Sequence, residues 1–106
     1  MKAIFLIHKS APGLPRITPV QRGSTFYRSG NWTLAEKTAK ALVGGKIHFL
    51  HKKATPSFFG GRIVGVEVIK EGTYKGKIIF VFEREQECIG VKTSGEGWSQ
   101  VMKIVY

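Results

Sequence analysis

The stretch RIVGVEVIKEGTYKGKIIFVFERE, residues 62–85, decides the fold class of this chain. Residues 62–69 and 77–85 are rich in β-branched and aromatic residues, which favours a strand in each run. The polar segment 70–76 between them contains two glycines and predicts a loop. Gly65 lies inside the first run and predicts a bulge or a close approach of another backbone. We therefore expect a domain built mainly on β-sheet.

Short strands are predicted on both sides of this stretch, at residues 2–8, 46–53, 88–93 and 98–106. The first is largely apolar and is expected to be buried on both faces. Residues 54–61 and 94–97 predict turns, and residues 9–24, with three prolines, predict a long loop. Six short strands of mixed direction with one helix predict an α+β fold, a small, partly closed β-barrel, because closure removes exposed sheet edges.

A single helix is predicted after residue 33. Thr33 and Glu36 have the spacing of a capping box, and apolar or small residues recur at helical spacing over 34–42. Glu36 is expected to pair with Lys40, four residues on. Gly44-Gly45 predicts the end of the helix, because glycine adopts the left-handed cap at no steric cost.

Length and cysteine content limit the class of protein. The 106 residues predict one domain, 1–106. The single cysteine, Cys88, has no partner for an intramolecular disulfide, which suits a reducing compartment, so we predict a buried thiol and a cytoplasmic location. The apolar run at residues 2–8 is too short to span a membrane and lacks a small-residue cleavage site, so it predicts neither a membrane segment nor a signal peptide.

Charge is the strongest global signal. Seventeen Lys and Arg against seven Asp and Glu give a net charge of +10. Residues 1–66 contain eleven basic residues and one acidic residue, whereas residues 67–106 contain six of each. A nucleic acid is the partner that this asymmetry favours. The alternative is a basic protein whose charge only maintains solubility.

The segment GSTFYRSGNW, residues 23–32, is the first candidate site and is expected to be a loop. Tyr27 could stack on a base, Arg28 could contact a phosphate and Asn31 could recognise a base edge. Trp32 is either a second stacking residue or an apolar residue that packs on the start of the helix.

The segment HKKATPSFFGGR, residues 51–62, is the second candidate site, because cations beside aromatic rings suit single-stranded or flipped bases. The alternative is a buried phenylalanine with solvated lysines. Lys37 and Lys40, on the exposed helix face, are expected to follow the nucleic-acid backbone. The other residues predicted to contact nucleic acid are His51, Lys52, Lys53, Phe59, Arg62 and Trp98. Trp98 would reach the same pocket from the final strand, or it could instead plug the end of the barrel.

Metal, cofactor and catalytic motifs are weak. His48 and His51 are three residues apart on a predicted strand, so they point to opposite faces and do not predict a metal site. No cofactor is predicted. A metal-independent ribonuclease of the bacterial toxin type, with His8, His48 or His51 as general base, stays an alternative. A protein-interaction module for an acidic partner is another, and the pattern favours binding over catalysis.

The layout of residues 31–68 resembles a known superfamily. A tryptophan precedes a helix that ends in Gly-Gly-Lys, then come a strand IHFLH, a short loop and FGGRIVGVEV. This third of the chain is similar to the PUA-like superfamily, in particular its EVE and ASCH-type domains. The resemblance implies a small mixed β-barrel that binds RNA or a modified base in DNA. It also implies an aromatic pocket near Trp32 and Phe58-Phe59. The proline-rich segment 9–24 has no counterpart in this pattern.

Overall fold

Seven strands and two short helical segments form the described part of the chain. The computed structural model describes residues 2–8, 16–99 and 101–105. The elements in chain order are β1 (Ala3–Ile7), β2 (Arg16–Pro19), β3 (Phe26–Trp32), α1 (Glu36–Ala41), β4 (Lys46–Leu50), β5 (Phe59–Val68), β6 (Ile78–Arg84), a 3₁₀ turn (Gln86–Cys88) and β7 (Met102–Val105).

The seven strands form one mixed sheet in the order β2-β3-β6-β5-β4-β1-β7. β1 and β4 run parallel, and every other neighbouring pair is antiparallel. Within the described residues no ladder joins β2 to β7, so the sheet is open and does not form a clear barrel, whereas the predicted mixed strands with one main helix are present. The number of short strands does not determine closure, because closure needs hydrogen bonds between the two edge strands.

β5 and β6 form the centre of the sheet, as residues 62–85 predict. Ile63 lies opposite Phe82, and Val68 lies opposite Ile78. The register slips between Ile63 and Gly65, which confirms the bulge predicted at the glycine. Residues between the two strands form a turn-rich loop, also as predicted.

Different side chains pack on the two faces of the sheet. We call the one that displays Ile78, Phe80 and Phe82 the core face; all three side chains are fully buried. α1 covers part of this face with Ala39 and Leu42. The opposite side, the second face, has a smaller cluster centred on Phe5, Ile7 and Leu50, packed against Val91 and Trp98.

α1 begins later than the sequence predicts. Its N-cap residue is Ala35, which has extended backbone angles and no side-chain cap. Thr33 is therefore not the cap; its hydroxyl accepts a hydrogen bond from Lys77 Nζ at 2.5 Å. Trp32 is still paired with Ile78 in the sheet, so the chain must leave the ladder before it can turn into a helix. The tertiary pairing overrides the local capping signal.

The end of α1 agrees with the prediction. Lys40 Nζ lies 2.5 Å from the Glu36 carboxylate, as the four-residue spacing predicts. Gly44 has φ +91°, a conformation that glycine adopts without strain. At Gly45 an added Cβ would come within 2.5 Å of the Lys2 carbonyl oxygen, so the helix exit has room for glycine only.

Several segments predicted as loops or strands differ in the structure. Residues 16–19 of the predicted loop 9–24 form β2, whose Pro19 is tolerated because β2 is an edge strand. Residues 9–15 lie outside the described residues. Most of the predicted loop 23–32 is β3, paired on both sides. The predicted turn 54–61 ends early, since Phe59 already belongs to β5.

The chain after β6 also departs from the prediction. Residues 88–93 are not a strand; the 3₁₀ turn Gln86–Cys88 leads into an irregular segment. The Cys88 carbonyl accepts hydrogen bonds from the Ser57 hydroxyl at 2.6 Å and from His48 Nδ1 at 3.2 Å. Backbone hydrogen bonds from Ser57 N–H to the Val91 carbonyl and from Gly90 N–H to the Ser57 carbonyl also hold this segment, without forming a regular ladder. The predicted final strand 98–106 is shorter and starts at Met102.

No helix in residues 2–8, 16–99 or 101–105 has the length and apolarity to cross a bilayer. The cytoplasmic location and the single domain stay predictions.

Candidate binding pocket

An open pocket of about 330 Å³ lies on the core face, where β1 and β4 end and where β3 and β5 begin. Its walls are aromatic and aliphatic side chains with two imidazoles. The lining residues are His8, Ile17, Tyr27, His51, Phe58 and Phe59.

The apolar wall of the pocket is anchored in the core. Tyr27 packs edge-on against Phe59, with ring centroids 5.0 Å apart, and both rings contact the buried ring of Phe82 at 5.9 Å. Tyr27 and Phe59 are themselves half-buried. Each ring therefore has one side held by the core and another side available to a ligand.

The second wall combines imidazole and benzene rings. His51 stacks on Phe58 with centroids 4.1 Å apart and planes 11° from parallel. His8 approaches the same Phe58 ring at 5.9 Å. Burial, and then the positive charge of a protonated His51, lower the pKa of His8 below its usual 6.5. His8 is therefore neutral at pH 7.

Two lysines, which we call the rim lysines, come directly after the pocket residue His51 in the chain. Lys52 and Lys53 follow His51 in an exposed turn that Thr55 closes, its hydroxyl donating to the Lys52 carbonyl at 2.9 Å. Neither ammonium has a carboxylate within 4 Å among the residues described. Lys53 Nζ instead lies 5.9 Å from the ring centroid of Trp98, a cation–π contact.

The second face of β3 to β6 has a different electrostatic character. Arg28 pairs with Glu67 at 3.0 Å, and Arg62 pairs with Glu83 at 3.2 Å. Beside them, Lys46 contacts the carboxylates of Glu85 and Glu87, which raise the pKa of the lysine. We call these three cations and four carboxylates the charged ladder.

The charged ladder separates residues that the sequence places in one site. Arg28 follows Tyr27 in β3 and so points to the opposite face. Arg62 belongs to the predicted site 51–62 but lies in the ladder, opposite Glu83. Both guanidinium groups are half-exposed and already have an anionic partner, so the predicted phosphate contacts of Arg28 and Arg62 are not part of the pocket.

Trp32 belongs to the core and not to a surface site. Its side chain is 2% exposed, and the indole N–H donates to Ser29 Oγ at 2.9 Å. This burial contradicts the prediction that Trp32 stacks on a base. Trp32 is a packing residue, as the alternative supposed, but it lies three residues before the N-cap Ala35 and not directly before the cap. Asn31 lies in the irregular part of β3 between Ser29 and Trp32, outside the pocket lining.

Lys37, Lys40 and Trp98, also predicted to contact nucleic acid, do not line the pocket. Lys37 and Lys40 are exposed on α1, and Lys40 is paired with Glu36. Trp98 packs against the cluster of the second face and donates its indole N–H to the Ser94 carbonyl at 3.3 Å. Among the twelve predicted residues, the structure brings Tyr27, His51 and Phe59 into the pocket itself.

His48 and Cys88 have structural roles. His48 is 6% exposed and stacks on Phe5 at 4.6 Å, and burial lowers its pKa. It is inaccessible, so the hypothesis of His48 as a general base is not supported. Cys88 is buried, as predicted, and burial raises its pKa to about 11. In the part of the chain that the structure describes, no three His, Cys, Asp or Glu residues are placed to hold a metal ion.

Sequence reasoning did not place His8 and Ile17 in the predicted binding site. His8 stood only as a possible catalytic base, and Ile17 lies in a segment whose prolines predict a loop. No local signal links either residue to Tyr27, because the contacts depend on the sheet order.

Comparisons of the chain with family models, with curated proteins and with solved structures found no match. The resemblance to the PUA-like superfamily stays a prediction.

Proposed function

We propose that this domain binds nucleic acid, either RNA or DNA, with one base in the pocket and with phosphates at Lys52 and Lys53. The observation that carries the proposal is an open aromatic pocket whose lining residue His51 is followed directly by two exposed lysines, neither of which has a carboxylate partner among the described residues. By contrast, the cations of the charged ladder have carboxylate partners. A polyanion gains more at the rim, because no ion pair has to be broken there.

The size of the pocket favours a single unstacked base. A volume of about 330 Å³ is at the lower end of the range for small-molecule sites. A base inside a duplex cannot reach the rings of Tyr27 or Phe59, so the ligand is single-stranded or has a flipped nucleotide. Stacking on these rings supplies affinity with little sequence preference.

The PUA-like resemblance points to the same class of ligand. It implies an aromatic pocket that includes Phe58-Phe59, and these residues do line the pocket. It also implies a role for Trp32 and a small mixed β-barrel, whereas Trp32 is buried and the sheet is open. The proposal therefore rests on the pocket and its rim, and a modified base is one ligand that it admits.

A pair of matched variants tests the proposal. Lys52→Gln/Lys53→Gln removes two charges at the rim, and Arg28→Gln/Arg62→Gln removes two charges from the ladder. Dissociation constants are measured for single-stranded and duplex RNA and DNA oligonucleotides between 50 and 200 mM salt. We expect the rim variant to bind several-fold more weakly, with a salt slope shallower by about 1 to 2. The ladder variant should match the parent protein.

Equal weakening in both variants would show that net charge, and not the pocket rim, governs binding. No binding of any oligonucleotide by the parent protein would overturn the proposal and favour an interaction module for an acidic protein. The four oligonucleotide types also decide between RNA and DNA.

A metal-independent ribonuclease is the second candidate, because His8 and His51 line the same open pocket. One imidazole could accept the proton of a ribose 2′-hydroxyl as this oxygen attacks phosphorus, and the other could protonate the departing 5′-oxygen. RNA incubated with the protein and EDTA would then be cleaved, and His51→Ala would abolish cleavage. If the RNA stays intact, the ribonuclease proposal fails and nucleic-acid binding without cleavage remains.

A further inference from the structure

Trp98 presents one side of its indole ring to solvent on the second face of the sheet. The side chain is half-buried and packs against the cluster of Phe5, Ile7 and Leu50. The ammonium of Lys53, an exposed residue, lies over the ring at 5.9 Å from its centroid. Because an exposed and flexible side chain reaches this side of the ring, a ligand can reach it as well.

We infer that Trp98 is a second stacking site, on which a single-stranded nucleic acid places a further base while another base occupies the pocket. This inference deepens the proposed function and rests on it. It also narrows the ligand, because a strand that contacts both sites has to bend around the ends of β1 and β4. A duplex resists bending over so short a distance, so the ligand is a single strand.

The pocket and Trp98 lie at the same end of the sheet, on opposite faces. His51 lines the pocket, and Lys53, two residues later, contacts Trp98. Two residues of chain span at most about 7 Å, so the exposed turn after β4 connects the two sites directly. The rim lysines lie on this turn and have no carboxylate partner among the described residues. They would therefore meet the phosphates between the two bases.

Hydrogen bonds to Ser94 hold the indole in place. The Trp98 indole N–H donates to the Ser94 carbonyl at 3.3 Å, and the Lys103 ammonium donates to the same carbonyl at 3.0 Å and to the Ser94 hydroxyl at 2.9 Å. Lys103 pairs with no carboxylate in the described part of the chain, so it adds positive potential beside the indole edge without touching the ligand. A ring that is already fixed loses little conformational freedom when a base stacks on it.

A base that stacks on Trp98 displaces the Lys53 ammonium from the ring. An exposed cation–π contact shifts an equilibrium about two- to fivefold, whereas a base stacked on an aromatic side chain shifts it about five- to 150-fold. The exchange therefore favours the base. The displaced ammonium stays on the exposed turn, where it can pair with a phosphate of the same strand.

Intrinsic fluorescence reports on this site directly. The chain has two tryptophans, and Trp32 is buried in the core, so Trp32→Phe leaves Trp98 as the one reporter. The full chain with this substitution is titrated with single-stranded RNA and DNA of one, two, four and eight nucleotides. We expect the longer strands to quench the emission of Trp98. A mononucleotide, or a duplex with one bulged nucleotide, should occupy the pocket and leave the emission unchanged.

Substitutions separate the ring from the packing that it provides. Trp98→Leu keeps an apolar contact with the cluster but removes the stacking surface, so it should weaken octanucleotide binding at least about fivefold. Mononucleotide binding, measured by NMR titration, should not change. Trp98→Phe retains a smaller ring and should recover part of the loss. Val91→Ala is the matched control, because Val91 packs against the same cluster, and it should bind octanucleotides as the parent does.

An octanucleotide that binds without quenching Trp98 overturns the inference, as does an unchanged octanucleotide affinity in Trp98→Leu. Equal weakening of mononucleotide and octanucleotide binding overturns it too, because the ring would then act only through the fold. If the rim lysines and salt still govern binding in these cases, the proposed function stands without the second site. If Trp98→Leu does not fold by circular dichroism, the fluorescence titration decides. If no oligonucleotide binds the parent protein, the proposed function and the inference fail together.

Discussion

Two surfaces of opposite character are built from the same two strands. On the core face, β3 and β5 contribute Tyr27 and Phe59 to the pocket; on the second face they contribute Arg28 and Arg62 to the charged ladder. Tyr27 and Arg28 are neighbours in sequence, yet one step along a strand changes the face. Residue types that suit one ligand are therefore divided between two surfaces.

The difference also shows how folding redistributes charge. All of the net charge of +10 comes from residues 1–66. In the ladder, however, three of these cations meet carboxylates from residues 67–87. The rim lysines 52 and 53 have no such partner in the described part of the chain. A segregated charge in sequence is thus neutralised on one surface and preserved on another.

Trp32 provides the largest expected effect, because it shares β3 and the core face with Tyr27 but lies in the core. Trp32→Ala should lower the free energy of unfolding by about 3–5 kcal/mol, since it leaves a cavity beside the buried Ser29 hydroxyl. Urea denaturation measures this. Trp32→Phe fills most of the space and should bind nucleic acid as the parent does. An Ala variant that keeps its stability but loses nucleic-acid binding would contradict this prediction and would show that Trp32 belongs to the binding site.

Tyr27 should affect binding and not stability. Tyr27→Leu keeps an apolar contact with Phe59 and Phe82 but removes the ring that stacks on the base, at a cost of about 1–3 kcal/mol in binding. Fluorescence anisotropy with a labelled single strand measures the loss. Phe26→Leu is the control, because Phe26 is exposed on the other face of the same strand. Equal losses in both variants would contradict a pocket-specific role.

The ladder can be turned into a second cationic surface. Glu67→Lys/Glu83→Lys frees Arg28 and Arg62 and adds two cations. We expect tighter polyanion binding with a salt slope steeper by about 2, even when the rim carries Lys52→Gln/Lys53→Gln. The ion pairs that are lost are exposed and contribute at most about 1 kcal/mol each, so the fold should survive. If the affinity for polyanions does not rise, pairing with carboxylates is not the reason why Arg28 and Arg62 do not bind them.

The smallest expected effect concerns the two histidines of lowered pKa, His8 in the pocket and His48 beneath the ladder. Burial is the main cause in both. Below the usual pKa of 6.5 the unfolded chain binds protons that the folded chain excludes, so stability is retained above pH 6.5 and falls as the pH decreases. His48→Phe should weaken this dependence, while Ser57 still donates to the Cys88 carbonyl. Denaturation at pH 7.5 and 5.0 measures it, and an unchanged slope would refute it.

Local sequence signals were reliable where burial alone decides the structure. The apolar runs of β1, β4, β5 and β6 predict strands because their β-branched and aromatic side chains pack well on a buried sheet, and Gly65 marks the bulge. The signals failed where a long-range partner competes. The sheet pairing of Trp32 delays the helix that Thr33 would cap, and pairing with β3 makes a strand of the proline-flanked residues 16–19.

The sequence by itself determined the central strands, the glycine exit of the helix and the excess of positive charge, because these depend on residue type and short spacing. Only the tertiary structure decided that the sheet stays open, that Arg28 and Arg62 meet carboxylates, and that His8 joins Tyr27 and His51 at one pocket. These features depend on strand order and register. Strand order joins residues more than forty positions apart, and no local pattern encodes it.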